Sequence, residues 1–129
     1  MFIYFQHLCR MKKTAVIGAS SNPLRYSYKA IQALRKSGID CLAIGLKPGL
    51  IEGIPIQQQP SEQSDIDTVS LYVGAKNQAA WRETIMKIHP ARVIFNPGTE
   101  NPEFEADLIR HGISVEHACT LVLLATGQY

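Results

Sequence analysis

The fold class of this chain is indicated by one segment, Thr14-Ala-Val-Ile-Gly-Ala-Ser-Ser-Asn-Pro-Leu-Arg-Tyr-Ser27. Its first four residues are a short apolar run that predicts a buried strand, and the run stops at Gly18. Hydroxyl and amide side chains follow, and the apolar spacing then predicts a helix from Ser27 to Lys36. A strand, a glycine turn and a helix in this order form one unit of an α/β fold with a parallel sheet.

The same alternation of short apolar runs and helical segments continues along the chain. Further helices are predicted around Trp81, from Asn101-Pro102 onward and after His117. Because the helix of a strand-helix-strand unit packs back on the sheet with a right-handed crossover, we expect a five-stranded parallel sheet in the order 3-2-1-4-5. The other predicted strands nearly all stop at Gly or at Asn-Pro-Gly, and they are Cys41–Ile44, Thr68–Val73, Arg92–Phe95 and Ile113–Val115.

The connection between the second and third predicted strands is irregular. Prolines and glycines interrupt any long helix there, and residues 51–56 (Ile-Glu-Gly-Ile-Pro-Ile) predict an extended turn or a small hairpin at the surface. A proline inside this stretch is unfavourable for a strand within a sheet. The hairpin is therefore left out of the predicted five-stranded sheet.

The composition is typical of one globular domain. The chain has 129 residues, of which 46% are hydrophobic and 19% charged. A net charge of +2, from 13 Lys+Arg against 11 Asp+Glu, is too small for a dedicated nucleic-acid binder. Residues 1–12 are predicted to be an N-terminal extension, too short to span a membrane, and residues 13–129 the folded domain. Three cysteines without a CxxC pair predict a cytoplasmic protein with no metal site.

The loop before the first helix has the composition of an anion-binding site. A helix N-terminus exposes free amide N–H groups and the positive end of the helix dipole. Ser20, Ser21, Asn22 and Arg25 precede that terminus, which predicts binding of a phosphate or diphosphate. Only the first glycine of a G-x-G-x-x-G fingerprint is present, and a Walker lysine is missing. After the second strand stands Lys47, where an NAD site has an acid, which favours a phosphorylated ribose as in NADP or coenzyme A.

The chain also carries a set of short motifs, of which Asn22-Pro-Leu-Arg-Tyr-Ser-Tyr28 is the most specific. The others are Val16-Ile-Gly-Ala-Ser20, Lys47-Pro48, Ile51-Glu-Gly-Ile54, Asp65-Ile-Asp67, Asn96-Pro-Gly98 and Cys119. Together, over about residues 13–124, they resemble the small stand-alone CoA-binding domain family, which is related to the nucleotide-binding domain of the succinyl-CoA synthetase alpha subunit. The resemblance implies a Rossmann-like three-layer sandwich that holds coenzyme A, in proteins mostly without an assigned activity.

The same resemblance implies a site at the carboxyl ends of the strands. By position, the residues around the diphosphate would be Gly18, Ser20, Asn22, Arg25 and Ser27. Lys47 and Pro48 would lie at the adenosine end, and Asn96, Pro97 and Gly98 would line the cleft. Ser21, Tyr26, Gly74 and Cys119 complete the predicted cofactor-binding set. The chain departs from the family where it has Gly45-Leu-Lys-Pro48 and Gly74-Ala-Lys-Asn77.

Three functions are left open by the sequence. The first is a module that binds coenzyme A or an acyl-CoA without catalytic activity of its own. The second is a small NADP-dependent oxidoreductase, and the third is a protein-interaction domain with a vestigial nucleotide pocket. Cys119 is a candidate nucleophile or thiol partner of the coenzyme, but packing as a small apolar residue is favoured, so no catalytic residue is assigned. A homo-oligomer or a protein partner is also compatible with the apolar N-terminal residues.

Overall fold

A computed structural model describes residues 13–61 and 65–129, so the predicted N-terminal extension lies outside the described residues. Among the described residues, strands and helices alternate as the sequence predicts, except over residues 41–71, where four strands follow one another. A single 3-10 turn among these residues spans Ala75–Asn77. In chain order the other elements are β1 (Thr14–Ile17), α1 (Tyr26–Lys36), β2 (Cys41–Ile44), β3 (Leu50–Ile51), β4 (Ile54–Gln57), β5 (Thr68–Leu71), α2 (Ala79–Ile88), β6 (Arg92–Phe95), α3 (Pro102–Arg110), β7 (Ser114–His117) and α4 (Thr120–Ala125).

The strands of the described residues form one seven-stranded sheet in the order β3-β4-β2-β1-β5-β6-β7. In this order every neighbouring pair is parallel except the β3–β4 hairpin, which is antiparallel. Helices cover both faces of this sheet, which confirms the predicted α/β, Rossmann-like, three-layer class. The hairpin predicted over residues 51–56 is also present, between β3 and β4.

The predicted five-stranded sheet in the order 3-2-1-4-5 is wrong in one respect. It misplaces the third predicted strand, Thr68–Val73, which corresponds to β5 of the structure. That order puts the strand beginning at Thr68 at the edge, beside β2, whereas β5 pairs with β1 along its whole length. All four residues of β5 are buried, so the strand needs neighbours and helices on every side. The edge position beside β2 belongs instead to β4, which pairs with β2 at only two residues, Ile56 and Gln57.

Pro55 explains why β4 is not predicted from the sequence as a strand of the sheet. Proline cannot donate a backbone hydrogen bond, so a strand that contains it is predicted as a turn or loop. In the structure Pro55 lies opposite Leu50 of the short β3, while the neighbouring amide of Ile56 donates to the Gly49 carbonyl at 2.9 Å. The proline therefore falls where no ladder to β2 depends on its missing N–H group.

Each face of the sheet has its own hydrophobic core. On one face α2 and α3 pack Trp81, Ile85, Phe104 and Leu108 against β1, β5 and β6. On the other face α1 supplies Ile31 and Leu34, and Leu124 of α4 packs beside them. Burial of these apolar side chains is the main stabilising contribution to such a domain. No helix of the described residues is long and apolar enough to cross a lipid bilayer.

Local capping explains the helix that the sequence predicts most clearly. Asn101 is the N-cap of α3, and its Oδ1 accepts a hydrogen bond from the Phe104 amide at 3.3 Å. The carboxylate of Glu105 accepts in return from the Asn101 amide at 2.7 Å. Pro102 occupies the first turn, where its missing N–H group costs nothing. This start of α3 confirms the prediction from Asn101-Pro102, and α4 begins after His117 as predicted.

Candidate functional site

The turn after β1 is pressed against the ends of the neighbouring strands. Gly18 has φ +95°, and a Cβ atom there would lie 2.8 Å from the Tyr72 carbonyl oxygen. The Gly18 and Ala19 amides both donate to the Ile44 carbonyl, at 2.9 and 3.0 Å. Only glycine combines this left-handed backbone with so close an approach. The turn is therefore fixed in place between the carboxyl ends of β2 and β5.

The loop that follows leaves the first turn of α1 open. Asn22 accepts a hydrogen bond from the Leu24 amide at 3.0 Å, and its own amide donates to the Ser20 hydroxyl at 3.1 Å. These two hydrogen bonds stabilise the loop, and neither involves a backbone amide of α1. The N-cap residue Arg25 has an extended backbone and makes no side-chain cap. The first amides of α1 thus have no partner within the helix and point toward the loop.

Two cavities meet at this turn. The first has a volume of about 500 Å³ and the second about 470 Å³, a size that suits a small-molecule ligand. They share Gly18, Ser20 and Tyr72. The first is also lined by Ala19, Ser21, Leu46, Lys47, Val73, Gly74, Asn77, Ala80 and Trp81, and the second by Leu24, Arg25, Tyr26 and Ser27. The structure thus brings eight of the predicted site residues to one cleft: Gly18, Ser20, Ser21, Arg25, Tyr26, Ser27, Lys47 and Gly74.

The charge of the cleft favours an anion. Lys47 in the first cavity and Arg25 in the second are exposed, and neither pairs with a carboxylate of the described residues. The described residues that line the two cavities include no Asp, Glu, His or Cys. Two cations and a helix N-terminus therefore face the cleft without an opposing negative charge.

Tyr72 forms the wall common to both cavities, and its hydroxyl is buried. The Ser70 and Thr120 hydroxyls lie nearby, but they bond to each other at 2.8 Å, and the Tyr72 oxygen has no hydrogen-bond partner among the described residues. Burial raises the pKa of Tyr72 to about 12. The side chain therefore stays neutral at physiological pH.

The remaining predicted site residues, Asn22, Pro48, Asn96, Pro97, Gly98 and Cys119, line neither cavity. The Asn96 amide is turned inward, where its Nδ2 donates to Ser70 Oγ and to the Leu71 carbonyl, both at 3.0 Å. Its Oδ1 accepts from the Thr120 amide at 2.8 Å. Asn96 thus joins β5, β6 and α4 below the cleft. Cys119 is the half-buried N-cap of the short α4.

The predicted site includes neither Tyr72 nor Trp81, although both line the first cavity. Trp81 belongs to the hydrophobic core and also lines the first cavity. Both residues follow β5, and the predicted strand order put that strand two places away from β1. A sequence signal for Tyr72 exists only once β5 is known to be central, because the residues just after neighbouring parallel strands then meet at one edge.

Comparisons with known proteins agree with the fold. The profile of the CoA binding domain family matches residues 12–125. An uncharacterized protein of known crystal structure is 39% identical, with a TM-score of 0.89 over 93% of this chain and 99% of that one. A Thermus thermophilus protein, cell-free ID.343, is 20% identical, with a TM-score of 0.81 over 99% of this chain and 98% of that one, and shows the same fold. No curated protein sequence matches the chain.

A larger protein contains a similar domain. The dinucleotide-forming acetyl-coenzyme A synthetase 1 of Ca. Korarchaeum cryptofilum is 18% identical, with a TM-score of 0.64 over 88% of this chain and 27% of that one. At this identity the likeness is one of fold. The match over residues 12–125 shows the family: the chain belongs to the CoA binding domain family.

Proposed function

We propose that this protein binds coenzyme A or an acyl-CoA in the two joined cavities at the carboxyl ends of β1, β2 and β5. The observation that carries the proposal is the position of the Gly18 turn, which belongs to both cavities and lies shortly before the N-terminus of α1. A diphosphate at this turn would accept hydrogen bonds from the free amides of α1 and form an ion pair with Arg25. Membership of the CoA binding domain family supports this ligand.

The residues at the end of β2 suit the adenosine part of the ligand. Leu46 and Lys47 are both exposed at the rim of the first cavity, so an apolar surface and a cation lie side by side. A ribose 3′-phosphate requires the cation, and the adenine ring requires apolar surface. We therefore place the adenosine 3′-phosphate in the first cavity, next to these two residues.

Binding, without a reaction, is the function that the cleft supports best. The described lining residues offer no carboxylate, imidazole or thiol for proton transfer or nucleophilic attack. The Tyr72 hydroxyl is buried, and its raised pKa keeps it protonated. An NADP-dependent reaction finds less support, because the loop has one glycine of the dinucleotide fingerprint and the family profile is that of a CoA binding domain. A cytoplasmic location and a homo-oligomer or protein partner stay predictions from the sequence.

The first experiment identifies the small molecule that accompanies the purified protein. The protein is denatured, and the released compounds are identified by mass spectrometry. Coenzyme A or an acyl-CoA is the expected result, and the mass of the acyl group would define the ligand further. Release of a nicotinamide cofactor in its place contradicts the proposal.

A competition titration tests the assigned orientation. Calorimetry with coenzyme A, dephospho-CoA, NADP and NAD is expected to rank coenzyme A first. If Lys47 contacts the 3′-phosphate, dephospho-CoA binds more weakly by about 0.5 to 1 kcal/mol, and Lys47→Ala removes most of that difference. High salt should reduce the same difference. Binding of none of the four compounds at millimolar concentration would favour the vestigial pocket with a protein partner.

A further inference from the structure

The Gln78 side chain joins three segments at the carboxyl edge of the sheet. Gln78 is completely buried. Its Nε2 donates to the Val73 carbonyl at 2.8 Å and to the Thr99 carbonyl at 2.7 Å. Its Oε1 accepts from Asn101 Nδ2 at 2.9 Å. Both donors and the acceptor of the amide are thus used inside the protein, at the junction of the loops after β5 and β6 with the start of α3.

One of these segments is a wall of the proposed ligand cleft. Val73 and Gly74 line the first cavity, and so do Asn77 and Trp81. Upstream, the Tyr72 amide donates to the Ile17 carbonyl at 2.8 Å, which holds the wall to β1. Residues 74–77 are exposed, and the last three of them form the 3-10 turn. A wall built in this way depends on what fixes its downstream end.

Gln78 supplies that downstream attachment through its backbone as well as its side chain. The Gln78 carbonyl accepts from the Trp81 amide at 2.8 Å and from the Arg82 amide at 3.1 Å, so the residue also begins α2. An apolar side chain of the same length would fill the same space but could not hold the Val73 and Thr99 carbonyls at a defined distance. Buried and fully bonded amides have this effect because leaving either partner unpaired in a low-dielectric interior is costly.

We infer that Gln78 is a positioning residue of the coenzyme A cleft, which holds the Val73–Trp81 wall at its distance from the Gly18 turn. The inference rests on the proposed function for its ligand. Gln78 itself lines neither cavity, so it acts through Val73 and Trp81 and not by contact with the ligand.

The test uses Gln78→Met, which keeps the side-chain length and removes both donors and the acceptor. We expect the Kd for coenzyme A, measured by calorimetry, to rise about tenfold, the change that a loss near 1.4 kcal/mol produces. A second readout needs no ligand. Trp81 is the single tryptophan of the chain and lines the cavity, so its emission and its quenching by acrylamide report the wall directly. In Gln78→Met we expect Trp81 to be more exposed, so that its emission shifts to longer wavelength and acrylamide quenches it more strongly.

Thr68→Val is the matched control, because Thr68 begins the strand at whose other end the wall starts. Thr68 is also completely buried, and its hydroxyl donates to Asp67 at 2.7 Å and accepts from Arg92 at 2.9 Å. Its replacement removes comparable buried hydrogen bonds at the opposite edge of the sheet. We expect this variant to lose stability and to keep both the wild-type Kd and the wild-type Trp81 emission.

Asn101→Asp is a second variant for the case that Gln78→Met does not fold. An aspartate keeps the acceptor that caps the Phe104 amide but cannot donate to Gln78 Oε1. A smaller rise in Kd, about threefold, is expected. Wild-type affinity and wild-type Trp81 quenching in the folded variants overturn the inference. If the wild-type protein itself does not bind coenzyme A, the proposed function fails, and Trp81 quenching alone then decides whether Gln78 holds the wall.

Discussion

The polar groups at the two ends of the parallel strands are used in opposite ways. The amino ends of the strands form the amino edge of the sheet, and their carboxyl ends form the carboxyl edge. At the amino edge, the Arg92 side chain is buried and fully engaged. It donates to Thr68 Oγ1 at 2.9 Å, to Glu116 Oε1 at 2.6 Å and to the Tyr129 carbonyl at 3.2 Å. Its guanidinium also lies 4.5 Å from the centre of the Tyr129 ring. The Tyr129 hydroxyl in turn hydrogen-bonds the hydroxyl of Thr14 at the start of β1.

At the carboxyl edge the polar groups near the surface are left open. The first amides of α1 have no intrahelical partner, and Arg25 and Lys47 pair with none of the described carboxylates. Leu24 and Leu46 are 81% and 70% exposed beside them. Groups that satisfy one another stabilise the fold, whereas groups that face a cleft unpaired are available to a ligand. The comparison therefore predicts that substitutions of the paired polar groups at the amino edge change stability alone, and that substitutions of the open polar groups at the carboxyl edge change binding.

The largest expected effect is at the turn that closes the carboxyl edge. In Gly18→Ala, the new methyl group would meet the Tyr72 carbonyl oxygen at 2.8 Å in a left-handed backbone, which should cost about 3 kcal/mol in the free energy of unfolding. Gly53→Ala is the control, since Gly53 has φ +87° with nothing within 4 Å of the new methyl group, and should cost about 1 kcal/mol. Urea denaturation measures both. Equal losses would show that the close approach to Tyr72 is unimportant.

The next effect concerns the amino edge. Arg92→Leu removes the three hydrogen bonds and leaves Glu116, which is only partly exposed, without its cation. We expect a loss of about 2 kcal/mol in the free energy of unfolding, because Arg92 is almost fully buried. Affinity for coenzyme A, measured by calorimetry on the folded variant, should not change. A large loss of affinity would contradict the separation of the two edges.

Arg25→Ala tests the carboxyl edge without disturbing the core. If Arg25 makes a charge-assisted bond to the diphosphate, the binding free energy should fall by about 1.5 kcal/mol while the free energy of unfolding changes little. Lys36→Ala removes one positive charge from the last turn of the same helix and serves as the control for net charge. Unchanged affinity in Arg25→Ala, or an equal loss in Lys36→Ala, would remove Arg25 from the site.

Two half-buried tyrosines give a finer comparison. Tyr129→Phe deletes the hydrogen bond to Thr14 at the amino edge and should cost about 1 kcal/mol in the free energy of unfolding. Tyr72→Phe deletes a buried hydroxyl that has no hydrogen-bond partner among the described residues, so it should be neutral or slightly stabilising. Denaturation of both variants under one condition is the measurement. A cost in Tyr72→Phe equal to that in Tyr129→Phe would show that the Tyr72 hydroxyl is bonded.

The last comparison is confined to alkaline solution. Burial raises the pKa of Tyr72 from 10.0 to about 12, so the folded state keeps a proton that the unfolded state releases. The corresponding stability is complete below pH 10 and is lost as the pH rises toward 12. Over this interval the free energy of unfolding should fall more steeply for the wild type than for Tyr72→Phe. Parallel curves for the two proteins would argue against a raised pKa.

The sequence alone determined the elements whose causes are local. Asn101 and Pro102 begin α3 through contacts within one helical turn, so their residue types predict its start. The Gly18 turn and the residues before α1 are likewise local, which is why Ser20, Ser21 and Arg25, predicted from the composition of this loop, line the cleft. Short-range geometry and composition suffice for such features.

Which strands are neighbours, and with that the rest of the cleft, depends on long-range packing. The sequence cannot show that β5 pairs with β1, because parallel pairing joins residues more than fifty positions apart, such as Thr14 and Thr68. Tyr72 and Gln78 acquire their roles from that pairing: one meets the Gly18 turn, and the other bonds to loops that follow different strands. Their residue types are ordinary for a half-buried strand end and a helix start. Their importance comes from side-chain packing between segments that are distant in sequence.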